Sequence, residues 1–239
     1  MQEKIYTGSS KSLYKPKEDC ALLLHFDDKI KKSNNKETIE ISGKGVITNA
    51  ISAFIMNKLD LIGIDNHLIK KINMRRQLVQ MVDVFPIQVN ICSVACGRYV
   101  KEFGIEEGFV FESPITEFRV KNKDLGYPVI NESQIKQFGW LATYEIKEIK
   151  QQATRVHDFL TGLFTGIGIR LVDCNLEFGV VFDGENYMIM LADEISPDTC
   201  KLWNMSNNEK LSYELVDTDP EQIIPAYQNI LSRLNNSVF

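Results

Sequence analysis

Excess positive charge is absent from this chain: its 239 residues carry 27 lysines and arginines against 32 acids, a net charge of −5. A net-negative protein has no global attraction to nucleic acid or to an anionic membrane surface, so neither is expected as a partner. Long apolar runs are absent too. None approaches the roughly 20 residues that a bilayer-spanning helix needs, and the opening Met1-Gln2-Glu3-Lys4-Ile5 has no apolar signal segment. Cysteine is sparse and unpatterned: Cys20, Cys92, Cys96, Cys174 and Cys200 form an odd set without a C-x-x-C pair. Several have apolar neighbours, as small core side chains do in a reducing compartment. These absences predict a cytoplasmic protein. Histidine contributes His25, His67 and His157, scattered along the chain, and His157, inside a helical pattern, reads as structural.

What is present is an ordinary globular composition, 44% hydrophobic and 25% charged, enough for one large domain or two small ones. Strand patterns come first, at 3–6, 12–14 and 21–26, the first two joined by Thr7-Gly8-Ser9-Ser10-Lys11. Such a turn makes an ordinary hairpin; it can equally cover nucleotide phosphates with backbone N–H groups. Asp27–Lys36, rich in lysine, reads as a solvated loop or as a phosphate-facing flap. Helical spacing of Ile47, Ile51, Phe54, Ile55 and Leu59 predicts a helix over 46–62 that Gly63 stops.

Strand patterns return at 68–72, 77–81 and 85–94. Val82-Asp83-Val84-Phe85-Pro86 looks like a crossing between two lobes, because Pro86 fits a strand start or edge. The expected division is 1–83, a β-rich N-terminal lobe that would bind nucleotide, and 84–239, a larger α+β lobe. Within the second, 95–103 predicts a short helix, 109–121 a strand pair broken by Pro114, and 133–138 a helical turn. The longest helical pattern is 144–166, with Ile146, Ile149, Ala153, Val156, Leu160 and Leu163 as a buried stripe. Strands at 168–182 and 187–192 and a closing helix over 219–235, Pro220 in its first turn, complete an α+β pattern with mainly antiparallel sheet.

The chemistry concentrates in Leu171–Asn204. L-V-D-C-N-L-E-F-G places Asp173 and Glu177 at even spacing, on one face of a strand. Met188-Ile189-Met190-Leu191 then runs into Asp193-Glu194 and Ser196-Pro197-Asp198, an acidic cluster where a buried strand stops. Carboxylate oxygens there suit Mg2+, which is usually shared with nucleotide phosphates. Acids in such turns also serve ordinary turn chemistry, and spacing leaves both readings open.

The same segment, with Lys44-Gly45, Asn49, Phe54, Gly63-Ile64, His67 and Gly104-Ile105-Glu106-Glu107-Gly108, resembles the SAICAR synthetase family in order across almost the whole chain. The resemblance implies a two-lobed α+β fold with nucleotide in the cleft between lobes, and a homodimer. It implies an ATP-dependent ligase of purine biosynthesis that uses ATP and Mg2+ to join L-aspartate to carboxyaminoimidazole ribonucleotide. A carboxylate repels an amine; phosphorylating it gives an acyl phosphate that the amine can displace, while cations stabilise the transferred charge.

By resemblance, Gly8, Ser10 and Lys11 cover the phosphates, Asp83, Val84 and Phe85 meet adenine, and Lys121 lies near the nucleotide. Glu177 and Asp193 hold Mg2+ and nucleotide. Gly97, Arg98, Asp173, Ser196, Asp198 and Lys201 fall on the substrate side, with Lys11, Asp173 and Lys201 in catalysis. His67 matches a strand-start histidine without assigned chemistry. Departures concentrate on the substrate side: Cys92-Ser93-Val94-Ala95-Cys96-Gly97-Arg98 stands for Arg-Asn-x-Ala-Ala-Gly-Ser, Asn175 for a lysine, Lys201 for an arginine, and Ser212–Asp217 for an Asp-Lys-Asp-x-[FY]-Arg segment. Each lost charge-assisted contact is worth roughly 1.5–3 kcal/mol; Arg98 and Lys201 are the two residues that could compensate in part, Lys201 without arginine's bidentate fork. The departures define a second reading, a paralogue that keeps the fold and nucleotide binding without turnover, and a third, a ligase acting on a different acid.

Overall fold

The computed structural model describes residues 3–16, 21–32, 37–182 and 184–237; Cys20 and residues 33–36 of the lysine-rich segment lie outside them. β1 (Glu3–Thr7), β2 (Lys11–Lys15) and β3 (Ala21–Phe26) open an antiparallel sheet. β4 (Lys29–Lys31) pairs with β5 (Thr38–Glu40) in a separate hairpin. The lysine-rich segment is therefore not a loop throughout: Ile30 is buried in the main core and fastens it there. α1 (Lys44–Leu61), β6 (Leu68–Lys71) and β7 (Arg76–Gln80) follow, giving the sheet order β1-β2-β3-β7-β6. The start of α1 is capped from afar. Asp28 accepts from the N–H groups of Gly43 (3.1 Å) and Gly45 (2.9 Å) and from both terminal nitrogens of Arg75 (2.7 and 2.8 Å), satisfying helix-end donors that have no intrahelical partner.

The second sheet takes β8 (Asp83–Val94), β9 (Val110–Val120), β10 (Val129–Ile130), β11 (Ile169–Phe182), β12 (Tyr187–Ala192) and β13 (Cys200–Asn204). Its order is β10-β9-β8-β11-β12, with β13 also on β11, and every ladder is antiparallel. Between these strands lie α2 (Arg98–Phe103), α3 (Glu132–Gln137) and α4 (Thr143–Gly166); α5 (Ile223–Asn235) closes the chain behind a short 3-10 turn that holds Pro220. The expected strand pair around Pro114 is one strand. Cys92 opposes Ile115 and Val94 opposes Val110, so Phe111–Pro114 arch out in a bulge, where proline's missing N–H breaks no ladder bond.

α1 contributes Ile47, Ile51, Ile55, Met56 and Leu59 to the same core as α4, β11 and α5. By contrast Leu24, Phe26 and Val79 make up a small cluster of their own under the first sheet. The two sheets are also joined by backbone: His67 N–H donates to Leu191 O (3.0 Å) and Leu191 N–H to Asp65 O (3.1 Å). Where the chain crosses at Val82–Val84 it presses on Gly179. A Cβ there would strike Asp83 O and lie 2.6 Å from Val82 Cγ1, so glycine is required by the crossing. Among the described residues no helix is long and apolar enough to cross a membrane.

Candidate functional site

Register decides which residues share the cleft face. A bulge lies between Leu171 and Asp173, opposite β13; Cys174, Leu176 and Phe178 then face the core, leaving Asp173, Asn175 and Glu177 on the other side. Across the ladders these three oppose Cys92, Asn90 and Gln88 of β8, which in turn oppose Ile115, Glu117 and Arg119 of β9. Paired residues share a face, so the acids predicted to line one side of a strand sit in a broad polar surface.

At one end of it, Lys11 reaches from β2 across to the second lobe, ion-paired to Asp193 and 2.8 Å from Glu194 Oε1. Lys121, just beyond β9, pairs with Glu177. Burial would lower the Lys11 pKa, but Asp193 and Glu194 outweigh it and hold the ammonium charged. Burial, and then the charge of Asp193, push Glu177 up to about 7 against the pull of Lys121. Asp193 itself has φ 63, a left-handed conformation uncommon for a residue with a side chain, and such strain gathers at functional sites. It follows β12 directly, so the backbone that Leu191 shares with Asp65 and His67 sets its position. Burial pushes His67 down to about 4 despite Asp193 beside it, leaving a neutral ring at neutral pH.

The acidic loop is braced from within. Ser196 Oγ donates to Glu194 Oε2 (2.6 Å) and accepts from Asp198 N–H (3.0 Å). Asp198 is ion-paired to the fully buried Lys44 of α1 and accepts from Tyr227 OH of α5 at 2.7 Å. Ser196 and Asp198 thus make internal contacts that fix Glu194.

At the other end Lys201 Nζ donates to Asp173 Oδ2 (2.5 Å) and to Cys96 Sγ (3.2 Å), while Asp173 Oδ1, buried, has no hydrogen-bond partner. Gly97, at φ 51, lies against Lys201: its Cβ position is 3.7 Å from Nζ. Burial would lower the Lys201 pKa, but Asp173 outweighs it and keeps the ammonium. Arg98 bonds to Glu102 (2.7 Å) and Glu117 (2.8 Å).

Of the remaining expected residues, Gly8 donates to Lys11 O (2.8 Å) within the β1–β2 turn, and Ser10 O accepts from Asp27 N–H (2.8 Å). Asp83, Val84 and Phe85 begin β8; Phe85 packs in the core, so the crossing offers a ligand mainly backbone. Sequence reasoning missed Glu194 as a partner of Lys11, the Lys44 and Tyr227 braces, and Glu117 with Arg119. Lys44 stood inside a recognised motif and Glu194 inside the acidic cluster; Tyr227, on α5, and Glu117 with Arg119, set by strand register, had no local signal.

The SAICAR synthetase family model matches residues 4–234 of the chain. A phosphoribosylaminoimidazole-succinocarboxamide synthase of Rickettsia bellii is 56% identical over 234 residues, covering 98% of this chain and 99% of the relative. The crystal structure of phosphoribosylaminoimidazole-succinocarboxamide synthase from Ehrlichia chaffeensis matches with a TM-score of 0.94 at 39% identity, over 98% of this chain and 99% of that one. A SAICAR synthetase (Type-2) in complex with ADP matches with a TM-score of 0.91 at 32% identity, over 98% of each chain.

Proposed function

The chain belongs to the SAICAR synthetase family, and from that premise we propose that it joins L-aspartate to carboxyaminoimidazole ribonucleotide, using ATP, as a ligase of purine biosynthesis. The supporting observation is Lys11, carried by the first sheet, set against Asp193 and Glu194 of the second, so that one group of charges lies across the cleft. The ADP-bound relative supports nucleotide there. The proposal includes a cytoplasmic homodimer, as the family resemblance implies.

Glu177, Asp193 and Glu194 outnumber Lys11 and Lys121 around this cluster, and their oxygens are the hard donors that Mg2+ takes; the residues fit the ion. Glu177 and Asp193 would hold it, and it would neutralise charge on the transferred phosphoryl group. Lys11 and Lys121 exchange their carboxylate partners for phosphate oxygens as the nucleotide enters, and the backbone at Asp83–Phe85 meets adenine. The ribonucleotide carboxylate attacks the γ-phosphorus, releasing ADP and forming an acyl phosphate. The aspartate amine then attacks the acyl carbon, phosphate leaves, and the new amide nitrogen loses its proton. Asp173, with Oδ1 unpartnered, holds the incoming amine, and Lys201 fixes that carboxylate through Oδ2.

Purified protein with ATP, Mg2+, L-aspartate and the ribonucleotide should form ADP and the succinocarboxamide product, each dependent on both co-substrates. No ADP above a no-enzyme control would sink the proposal. Retained nucleotide binding in that case would identify the non-catalytic paralogue, the reading that Cys92 and Asn175 favour.

A further inference from the structure

β9 carries a second group of charges on the cleft face that no motif mentions. Glu117 receives Arg98 Nη1 at 2.8 Å and Arg119 Nη2 at 3.3 Å. The Tyr99 hydroxyl lies close to Glu117, Arg119 and Cys92, and burial, then Glu117, push its pKa up. Two guanidiniums therefore converge on one carboxylate, and the buried Tyr99 hydroxyl beside them has no hydrogen-bond partner. Arg98 is well engaged, its Nε donating to Glu102 at 2.7 Å. Arg119 is not: its second contact, to Asn90 Oδ1, is 3.4 Å long, and its Nε is buried without any hydrogen-bond partner. A buried guanidinium N–H left unpaired is costly unless an acceptor arrives.

Glu117 opposes Asn90, which opposes Asn175, so the group shares the sheet face of Asp173 and Glu177. Tyr99 links it to Cys92, the position where the family pattern has its arginine. We propose that Arg119 and Arg98 together form the anion subsite of this cleft, taking the phosphomonoester of a ribonucleotide in place of the guanidinium missing at Cys92. The identity of that ribonucleotide rests on the ligase reading; the anion chemistry does not. Arg119 shares Glu117 with Arg98 and has a buried Nε without an acceptor, and a phosphate dianion satisfies forked guanidinium donors better than a carboxylate bearing a single charge. Glu117 holds the two forks in place and is the internal anion that an entering phosphate displaces.

Calorimetry tests this with three probes, inorganic phosphate, aminoimidazole ribonucleotide and its unphosphorylated nucleoside, on the native protein and on the Arg119→Gln and Glu117→Gln variants. Arg119→Gln should weaken phosphate and ribonucleotide by about tenfold or more and leave the nucleoside and an ATP analogue unchanged. Glu117→Gln, which removes the competing carboxylate, should tighten inorganic phosphate, whereas a merely structural Glu117 would loosen it. Equal loss of nucleoside and ribonucleotide in Arg119→Gln, or no gain of phosphate affinity in Glu117→Gln, overturns the proposal. Should Arg119→Gln fail to fold, Arg119→Lys, which keeps charge without the fork, should give an intermediate loss, and an unchanged affinity there counts against it. The two readings fail separately. Phosphate binding that depends on Arg119 in a protein without turnover leaves the subsite standing, and normal turnover with an unchanged ribonucleotide KM in Arg119→Gln removes the subsite alone.

Discussion

The two ends of the cleft neutralise charge in different ways. Toward the first lobe, lysines stand among acids that outnumber them: Lys11 and Lys121 against Glu177, Asp193 and Glu194. Across β8, Arg98 and Arg119 share Glu117, Arg98 also pairs with Glu102, and the buried Nε of Arg119 has no acceptor. The first arrangement suits a ligand that brings its own cation, because lysine is a point charge on a flexible stem and can move from carboxylate to phosphate. The second suits an anion that arrives alone, because a guanidinium fork fixes orientation as well as charge. Asp173 and Lys201 belong to this second end, a matched pair.

The sharpest way to break this comparison is to remove one lysine at a time. Lys11→Met should weaken binding of a Mg2+-ATP analogue by about a hundredfold, the effect of losing two charge-assisted contacts, while ribonucleotide affinity stays. Lys201→Met should do the reverse. If calorimetry finds both variants weakening both ligands alike, the ends are not separate. A smaller effect comes from Gly179→Ala, where the added methyl strikes Asp83 O at the crossing. About 2 kcal/mol of stability should be lost, read from the denaturation midpoint, with nucleotide affinity falling and inorganic phosphate affinity intact.

The last test, with no expected effect on ligand binding, is a control remote from both ends. Burial alone would raise the Asp28 carboxyl, but Arg75 and the N–H groups of Gly45 and Gly43 outweigh it and bring it down to about 2. A carboxyl depressed in the fold contributes its stability above the unfolded value of 3.8 and loses it as pH falls through 2. Asp28→Asn should therefore cost about 2 kcal/mol at pH 7, with the difference from native protein closing between pH 4 and 2 and ligand affinities at neutral pH unmoved. A gap that persists at pH 2 would show that Asp28 acts through something other than its charge.

Periodicity made much of the fold legible. α4 and α1 carry apolar stripes long enough to read, and β3, β11 and β12 are bounded by clear breaks. What escaped was set by tertiary partners: β13 is five residues inside a motif that reads as a turn, β4 is held by a single apolar residue, Ile30, and β9 stays one strand because its bulge absorbs Pro114. At the site, the acids of Leu171–Asn204 were visible as a cluster, but their lysines were named through resemblance alone. Lys44 and Asp198 lie 154 positions apart and meet in a buried ion pair that no local pattern encodes. Glu117 and Arg119 alternate on a strand like any solvated face, and the β8–β9 register alone places them beside Asn90.

The core that α1 shares with α4, β11 and α5 limits how the cleft can breathe. A fragment ending at the crossing near Val82 would leave Ile51, Ile55, Met56 and Leu59 without the partners that cover them, so the two walls of the cleft belong to one folding unit although they belong to two sheets. A hinge that swung the two sheets apart would therefore have to break this shared core.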